Sequence, residues 1–416
     1  MNAVIIQANE VLETNIALVY KSIFLGETAS VLKNMDIDVK VHDVTIAGYD
    51  LQNVIKVFLE KPQIVVLVVD VQQARLAKRI AEYCKLCSPK SNVIVIGRAT
   101  SFIPQFFKRY PFDAVHINGD REAALINYIK YLRGELQKKE IANLYLVEKE
   151  GGYCATHVKW LEPQSWCTPN LPCLPIETYQ RLNAIQHPGR DLFIGVTATK
   201  GCIYGCKYCG ASTEEGKKIR YGVAQKIVDW SNSVAFDCTI QLWSPDILSS
   251  KEWLGEFIHT YETQNSNFKW RGVARISSVD ESKVSILHGH NCKEIAIGVE
   301  MIKKRTHIAL KGSQIQLENT ISLFDKYDIK LKCLLMLGYP GYNIDDAIYT
   351  IKLLKKYGLD YRITGYTPLQ NLSGMSVADL DRIMIENYDR RTFYQKQGIN
   401  SEMFYEILSS NGEVLL

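Results

Sequence analysis

Three cysteines fall within eight residues of one another in Gly201-Cys202-Ile203-Tyr204-Gly205-Cys206-Lys207-Tyr208-Cys209-Gly210, spaced C-x3-C-x2-C. Thiolates are soft ligands suited to iron–sulfur clusters and zinc. The glycines in and around the run let the backbone curl about a bulky inorganic group. A closed structural zinc site or a fully protein-ligated four-iron cluster takes four side chains. The next cysteine, Cys238, lies in a separate apolar run. Three thiolates on a four-iron cubane leave one iron open, and an open iron is a place for chemistry. The competing readings are a zinc knuckle and three unrelated buried thiols.

A loop of this kind needs a rigid support, and the chain around it reads as repeated strand and helix. Residues 193–199 form an expected strand running directly into the cysteines. Further strands are expected at 238–242, 270–274, 294–299, 330–337 and 361–366, with helices at 221–233, 251–264, 280–287, 313–327 and 344–357. That makes six repeats, fewer than the eight of a closed barrel. Chemistry in such sheets gathers at the carboxyl ends of the strands. Those ends carry Trp243-Ser244-Pro245-Asp246, Arg275, Gly298-Val299-Glu300 and Leu337-Gly338-Tyr339-Pro340-Gly341. Arg275 is an obligate cation suited to a carboxylate. Each of these has a plain alternative as a surface ion pair or a helix cap. His288, His290 and Cys292 precede the fourth strand, at its amino end, and read as a solvated turn; Cys333 reads as core.

Residues 1–133 alternate apolar strands, expected at 3–7, 38–44, 64–69, 92–97 and 114–117, with amphipathic patterns such as Ala74-Ala77-Ile80-Ala81-Cys84. Continuous apolar strands with helices between them imply a doubly wound parallel sheet, with ligands beyond its carboxyl edge. No G-x-G-x-x-G follows the first strand, where the chain reads Gln7-Ala8-Asn9-Glu10, which argues against a dinucleotide. Asp43, Asp70 and Asp120 fall at strand ends, equally suited to ligands and to helix caps. Cys84 and Cys87 lie on one expected helix and read as structural thiols. Residues 134–190 lose the alternation in a passage rich in proline and tryptophan, where the wide, uneven spacing of Cys154, Cys167 and Cys173 favours plain burial or exposure over the alternative of an auxiliary cluster. Residues 371–416 form a closing segment. Its run Glu386-Asn387-Tyr388-Asp389-Arg390-Arg391-Thr392-Phe393-Tyr394 reads either as a polar pocket lining or as an amphipathic surface helix.

The composition narrows the setting. A chain of 416 residues that is 47% hydrophobic supports more than one core. Its 49 basic and 45 acidic residues are nearly balanced and form no block that marks a nucleic-acid footprint. The amino terminus reads as a strand and not a signal peptide, and no apolar run reaches membrane-span length. Eleven cysteines, too sparse for a disulfide scaffold, imply a reducing, cytoplasmic environment.

The cysteine loop resembles the cluster motif of the radical S-adenosylmethionine (SAM) superfamily, with Tyr208 in the aromatic position before the last cysteine. The first third resembles the cobalamin-binding-type domain of class B members through Val93-Ile94-Val95-Ile96-Gly97, Thr100, Pro104, Phe112-Asp113-Ala114-Val115 and Gly119-Asp120-Arg121-Glu122-Ala123. The resemblance implies an α/β architecture of four segments. These are a Rossmann-like cobalamin-type domain (1–133), a connector (134–190), a partial (β/α)6 barrel (191–370) and a cap (371–416). It implies a 4Fe-4S cluster on Cys202, Cys206 and Cys209, with SAM chelated to the open iron. Tyr208, Asp246, Arg275, Glu300 and Gly338 are then near SAM, and Lys311-Gly312 also fits the pattern. The implied reaction is reductive cleavage of SAM to a 5'-deoxyadenosyl radical, which takes hydrogen from a small polar metabolite such as an amino sugar or nucleoside. Flavodoxin or ferredoxin is the implied electron donor, with no nucleic-acid or membrane partner.

Two departures leave the outcome open. The Asp-x-His-x-x-Gly that supplies a lower axial histidine in many cobalamin domains is absent, and Gly97-Arg98 stands where a Gly-Gly pair is usual. With cobalamin bound, the resemblance implies methyl transfer to carbon; with Arg98 excluding it, radical dehydration, epimerisation or rearrangement. A non-catalytic iron–sulfur or zinc protein is the remote alternative.

Overall fold

Strand Ile64–Val69, read Ile-Val-Val-Leu-Val-Val, is buried at every position, as a strand covered by helices on both faces must be. It is an interior strand of a seven-stranded sheet. We number the strands β1 (Asn2–Ala8), β2 (Asp38–Asp43), β3 (Ile64–Val69), β4 (Asn92–Ile96), β5 (Ala114–His116), β6 (Leu144–Leu146) and β7 (Tyr153–Cys154). Their spatial order is β2-β1-β3-β4-β5-β6-β7. The first five pair in parallel, and the order reverses between β1 and β3, the switch point at which doubly wound sheets bind ligands. The computed structural model describes residues 1–8, 17–44, 51–148, 151–306, 308–309, 311–366, 369–385 and 401–415. The run at 386–394 lies outside them, as do residues 9 and 10 after β1.

The connector, expected to be irregular, has order of its own. β6 and β7 continue the sheet in antiparallel sense, and Ile176–Gln186 is a helix. Strands of three and two residues are too short to show a period in the sequence. They form because the edge of β5 offers unpaired backbone groups for them to satisfy.

The second sheet holds β8 (Phe193–Thr197), β11 (Thr239–Trp243), β12 (Lys269–Arg275), β13 (Cys292–Glu300), β16 (Lys330–Leu337) and β17 (Asp360–Gly365). Short ribbons β9 (Thr199–Lys200) with β10 (Arg220–Tyr221) and β14 (Ile308–Ala309) with β15 (Gly312–Ser313) complete the strands. The order β17-β16-β13-β12-β11-β8 leaves two edges, so six strands make an incomplete barrel. Neighbours from β11 to β17 pair in parallel. On β12, Trp270, Gly272 and Ala274 are buried, while Arg271, Val273 and Arg275 alternate with them on the more open face. Trp270 donates to the carbonyl of His290 at 2.7 Å. The expected solvated turn at 288–292 is therefore tied to the helical layer, with His290 also paired to Glu262 at 2.8 Å.

The chain divides into two units: Met1–Val196 with Lys200–Arg220 and Leu369–Tyr388, and Thr197–Thr199 with Tyr221–Pro368 and Asp389–Leu416. The cysteine loop belongs to the first. No helix among the described residues is long and apolar enough to cross a membrane.

Candidate active site

The cysteine loop is strung between β9 and β10. Gly201, at φ +86°, could not carry a side chain: a Cβ there would stand 2.1 Å from the carbonyl oxygen of Lys218. The close approach lets Cys202 N–H donate to Gly216 at 3.0 Å. Gly201 N–H donates to the Glu215 carboxylate at 3.1 Å, and a turn brings Cys209 N–H to the Cys206 carbonyl at 3.0 Å. Cys202 is buried, Cys206 half-buried and Cys209 exposed, and none is in a disulfide. Tyr208, between the last two cysteines, is half-buried. Among the described residues no three His, Cys, Asp or Glu side chains converge closely enough to hold a metal as they stand. The three thiols are nonetheless a donor set of the right chemistry on one loop, and metal sites commonly assemble as the metal binds.

Burial, with Glu214 beside it, pushes the Glu215 carboxyl up to about 7 against the opposing Gly201 N–H, Lys200 and Arg121. A carboxyl whose pKa is raised on folding binds more protons folded than unfolded. Its contribution is complete below the usual carboxylate range and is lost as pH rises through about 7. Glu215→Gln is therefore expected to flatten the fall in stability between pH 5 and pH 8, a difference on the order of 3 kcal/mol. Thermal unfolding across that range in parent and variant checks it; identical slopes would show that Glu215 does not titrate there.

In the second unit the ends of neighbouring strands are laced together. Thr199 and Ser244 share a hydroxyl hydrogen bond of 2.6 Å, and Ser244 accepts from the Asp246 N–H at 3.0 Å. Asp246 is 4% exposed. Its carboxylate accepts from Ser278 Oγ at 2.5 Å, from Arg275 N–H at 3.2 Å and from Leu248 N–H at 3.3 Å. Burial raises its pKa, opposed by these donors. Asp246 thus fastens the end of β11 to that of β12, where Arg275 leaves the strand.

On β13 the register shifts between Gly298 and Glu300, and Glu300 takes φ +62°. Such a bulge re-aims a side chain at a strand end. The buried Glu300 carboxylate pairs with Lys311 at 2.7 Å. Glycine at 298 leaves room for that pair, since a Cβ there would stand 2.8 Å from Lys311 Nζ. Gly338, at φ +84°, turns the chain off β16, and Tyr339 meets Tyr366 edge to face at 5.2 Å. A guanidinium, two carboxylates and an aromatic pair at neighbouring strand ends can recognise a zwitterion attached to a flat ring.

Sequence reasoning missed the lacing by Thr199, Ser244 and Ser278. It also missed a polar layer lower on the strands, where Arg271 binds Gln241 at 2.7 Å and Glu294 at 3.0 Å. The signal was present: Arg271 stands four residues before Arg275, on the same strand face.

The carboxyl edge of the first sheet also departs from simple expectation. Gly97, at φ +119°, is required by the fold itself, because a Cβ would stand 2.5 Å from the carbonyl oxygen of Val69. Arg98 pairs with Glu214 at 2.8 Å and Asp70 at 3.8 Å. The buried His116 has both ring nitrogens engaged, with Thr100 Oγ1 at 3.1 Å and the Gly119 carbonyl at 3.0 Å. Burial lowers the pKa of that ring, opposed by the Gly119 carbonyl and Glu122. A half-open pocket lies between Arg98, His116, Glu122 and Lys200. With Arg98 ion-paired and both ring nitrogens of His116 engaged, that histidine is not offered as a ligand to a corrin lying over the described part of this edge.

No protein-family model matches the chain. An uncharacterized methyltransferase of Pyrococcus horikoshii is 22% identical over 334 residues, spanning 78% of this chain and 70% of that protein. Among solved structures, the radical SAM methyltransferase TsrM from Kitasatospora setae, with cobalamin and a 4Fe-4S cluster bound, superposes with a TM-score of 0.67. The match has 15% identity and covers 89% of this chain and 77% of that one. The cobalamin-dependent SAM radical enzyme OxsB superposes with a TM-score of 0.70 at 17% identity, over 95% of this chain and 56% of that one. The chain therefore has the fold of the cobalamin-dependent radical SAM enzymes, a doubly wound domain and an incomplete barrel, as its sequence led us to expect.

Proposed function

We propose that the protein is a radical SAM enzyme in which Cys202, Cys206 and Cys209 hold a 4Fe-4S cluster and SAM binds at the strand ends of the incomplete barrel. The observation that carries this reading is the three-thiol loop following the first barrel strand, in a fold whose other strand ends present Asp246, Arg275, Glu300 and Gly338. When bound, the cluster supplies the electron that cleaves SAM, and a corrinoid over the first sheet supplies a methyl group. The chain's own residues bind, orient and exclude water. Arg275 is suited to the SAM carboxylate and Glu300 to a hydroxyl or ammonium, with the Gly338 turn at a neighbouring strand end, while Tyr208 stands on the cluster loop. Asp246 holds the β11 and β12 ends in register for them.

The substrate class we propose is a small polar metabolite, methylated at carbon, with reducing equivalents from a flavodoxin- or ferredoxin-like donor in a cytoplasmic setting. The fold likeness to TsrM and the 22% identity to an uncharacterized methyltransferase support methylation. Arg98, ion-paired at the carboxyl edge, supports a second reading without corrinoid, in which the radical dehydrates, epimerises or rearranges the substrate.

Anaerobic reconstitution with iron and sulfide, then reduction in the presence of SAM, is expected to yield 5'-deoxyadenosine; none would remove the reading. Protein produced with hydroxocobalamin is expected to carry corrinoid absorption bands, and their absence would leave the second reading. Arg275→Met is expected to weaken SAM binding about 10- to 100-fold, the worth of a charge-assisted hydrogen bond. Equilibrium dialysis with labelled SAM measures it, and unchanged affinity would take Arg275 out of the site.

A further inference from the structure

Lys200 and Arg220 are the two roots of the cysteine loop, and both are held by carboxylates that follow β5. Lys200 Nζ lies 3.0 Å from Glu122, both side chains 6% exposed. Arg220 binds Asp120 through two nitrogens, at 2.5 and 2.8 Å, and that carboxylate is 2% exposed. Arg220 also donates to the carbonyls of Leu161 and Glu215, each at 3.0 Å. The indole of Trp166 lies under both cations, 5.1 Å from Lys200 and 5.5 Å from Arg220. Arg121 joins the network, 3.1 Å from Glu27 and 3.1 Å from Glu122. Buried ion pairs contribute little net stability compared with apolar packing of the same volume. Two such pairs, one at each root of a single loop, call for another explanation.

We propose that Asp120 and Glu122 are positioning residues for the cluster loop, and that the Lys200–Glu122 pair sets the electrostatic environment in which the cluster is reduced. The proposal rests on the reading of Cys202, Cys206 and Cys209 as cluster ligands. A 4Fe-4S cluster on three thiolates is net negative and becomes more so on reduction, so a nearby buried cation favours the reduced form and a buried carboxylate opposes it. Lys200 precedes Cys202 by two residues, and its charge is balanced by Glu122. Removing either member unbalances the other, with opposite consequences.

The test is anaerobic redox titration of the reconstituted full-length protein, followed by electron paramagnetic resonance. Glu122→Gln, isosteric and uncharged, is expected to move the cluster midpoint to a more positive potential. Lys200→Met is expected to move it to a more negative one, and the double variant should return toward the parent. A merely structural pair would move both single variants the same way or neither, and either result overturns the proposal.

The second arm reads the other root. Asp120→Asn and Arg220→Met are each expected to release iron to a ferrous chelator about tenfold faster than the parent, the scale of support lost around metal ligands. The double variant should be no faster than the singles. Unchanged rates would overturn the positioning role, and this arm decides that role if Lys200→Met does not fold. A parent protein that takes up no cluster would overturn the underlying reading. A parent that takes it up while the variants behave alike would overturn only this inference.

Discussion

Cys202→Ala is expected to reduce 5'-deoxyadenosine formation by about three orders of magnitude or more, equivalent to ~4 kcal/mol of barrier. Cys206→Ala and Cys209→Ala should do the same, although the three cysteines differ widely in exposure. That uniformity is the informative part. Cys202 is buried, and its replacement by the smaller alanine carries a packing cost; Cys209 is exposed and has little packing to lose. Effects that followed burial would rank Cys202 first and Cys209 last. Effects that followed ligation would be equal, because a cubane resting on two thiolates is no better held whichever one is missing. Cys84, buried with its thiol pushed up to about 11, serves as the control. Cys84→Ala should cost stability and leave cleavage per folded molecule intact. Activity assayed beside iron content and thermal unfolding separates the two patterns. A graded series, or an active Cys209→Ala protein, would remove the cysteines from the cluster.

What the sequence disclosed and what it withheld follow from the range of the interactions. The continuous apolar run of β3 and the apolar alternation on β12 are local signals, and the strands formed where those signals lay. The cysteine spacing is local as well. The partners of Lys200 and Arg220 are not, since Asp120 and Glu122 stand in a different part of the chain and meet the loop only once the first sheet is built. Glu300 was legible as a residue type at a strand end. Its turned backbone was not, because the bulge exists only in the register between β13 and β16. Gly97 shows the reverse limit. The resemblance places a glycine pair at the end of β4, and what Gly97 itself answers to is the close approach of the Val69 carbonyl. β6 and β7 were missed for a simpler reason: an edge can recruit two or three residues that have no pattern of their own.

The glycines of the cysteine loop permit the sharpest separation of shape from ligand chemistry. Gly201→Ala is expected to leave less than about a tenth of the parental iron after reconstitution, although every thiol is retained. At φ +86° an alanine sits in the left-handed region, a penalty of roughly 1–2 kcal/mol. Strain of that size alone would be tolerable. The larger obstacle is the Lys218 oxygen 2.1 Å from the new Cβ, with the Glu215 oxygen at 3.1 Å. Both are backbone atoms, so relief requires the returning limb of the loop to move bodily. That movement would break the Cys202 N–H bond to Gly216 and the Gly201 N–H bond to Glu215. The ends of the loop would then no longer be held at the separation that brings Cys202 toward Cys206 and Cys209. Gly205 makes the comparison clean, since it lies inside the same loop and a Cβ there meets nothing among the described residues within 4 Å. Gly205→Ala should therefore bind iron as the parent does. If the two alanine variants bind iron equally, the close approach at Gly201 does not shape the loop, and the flanking glycine is incidental to the cluster.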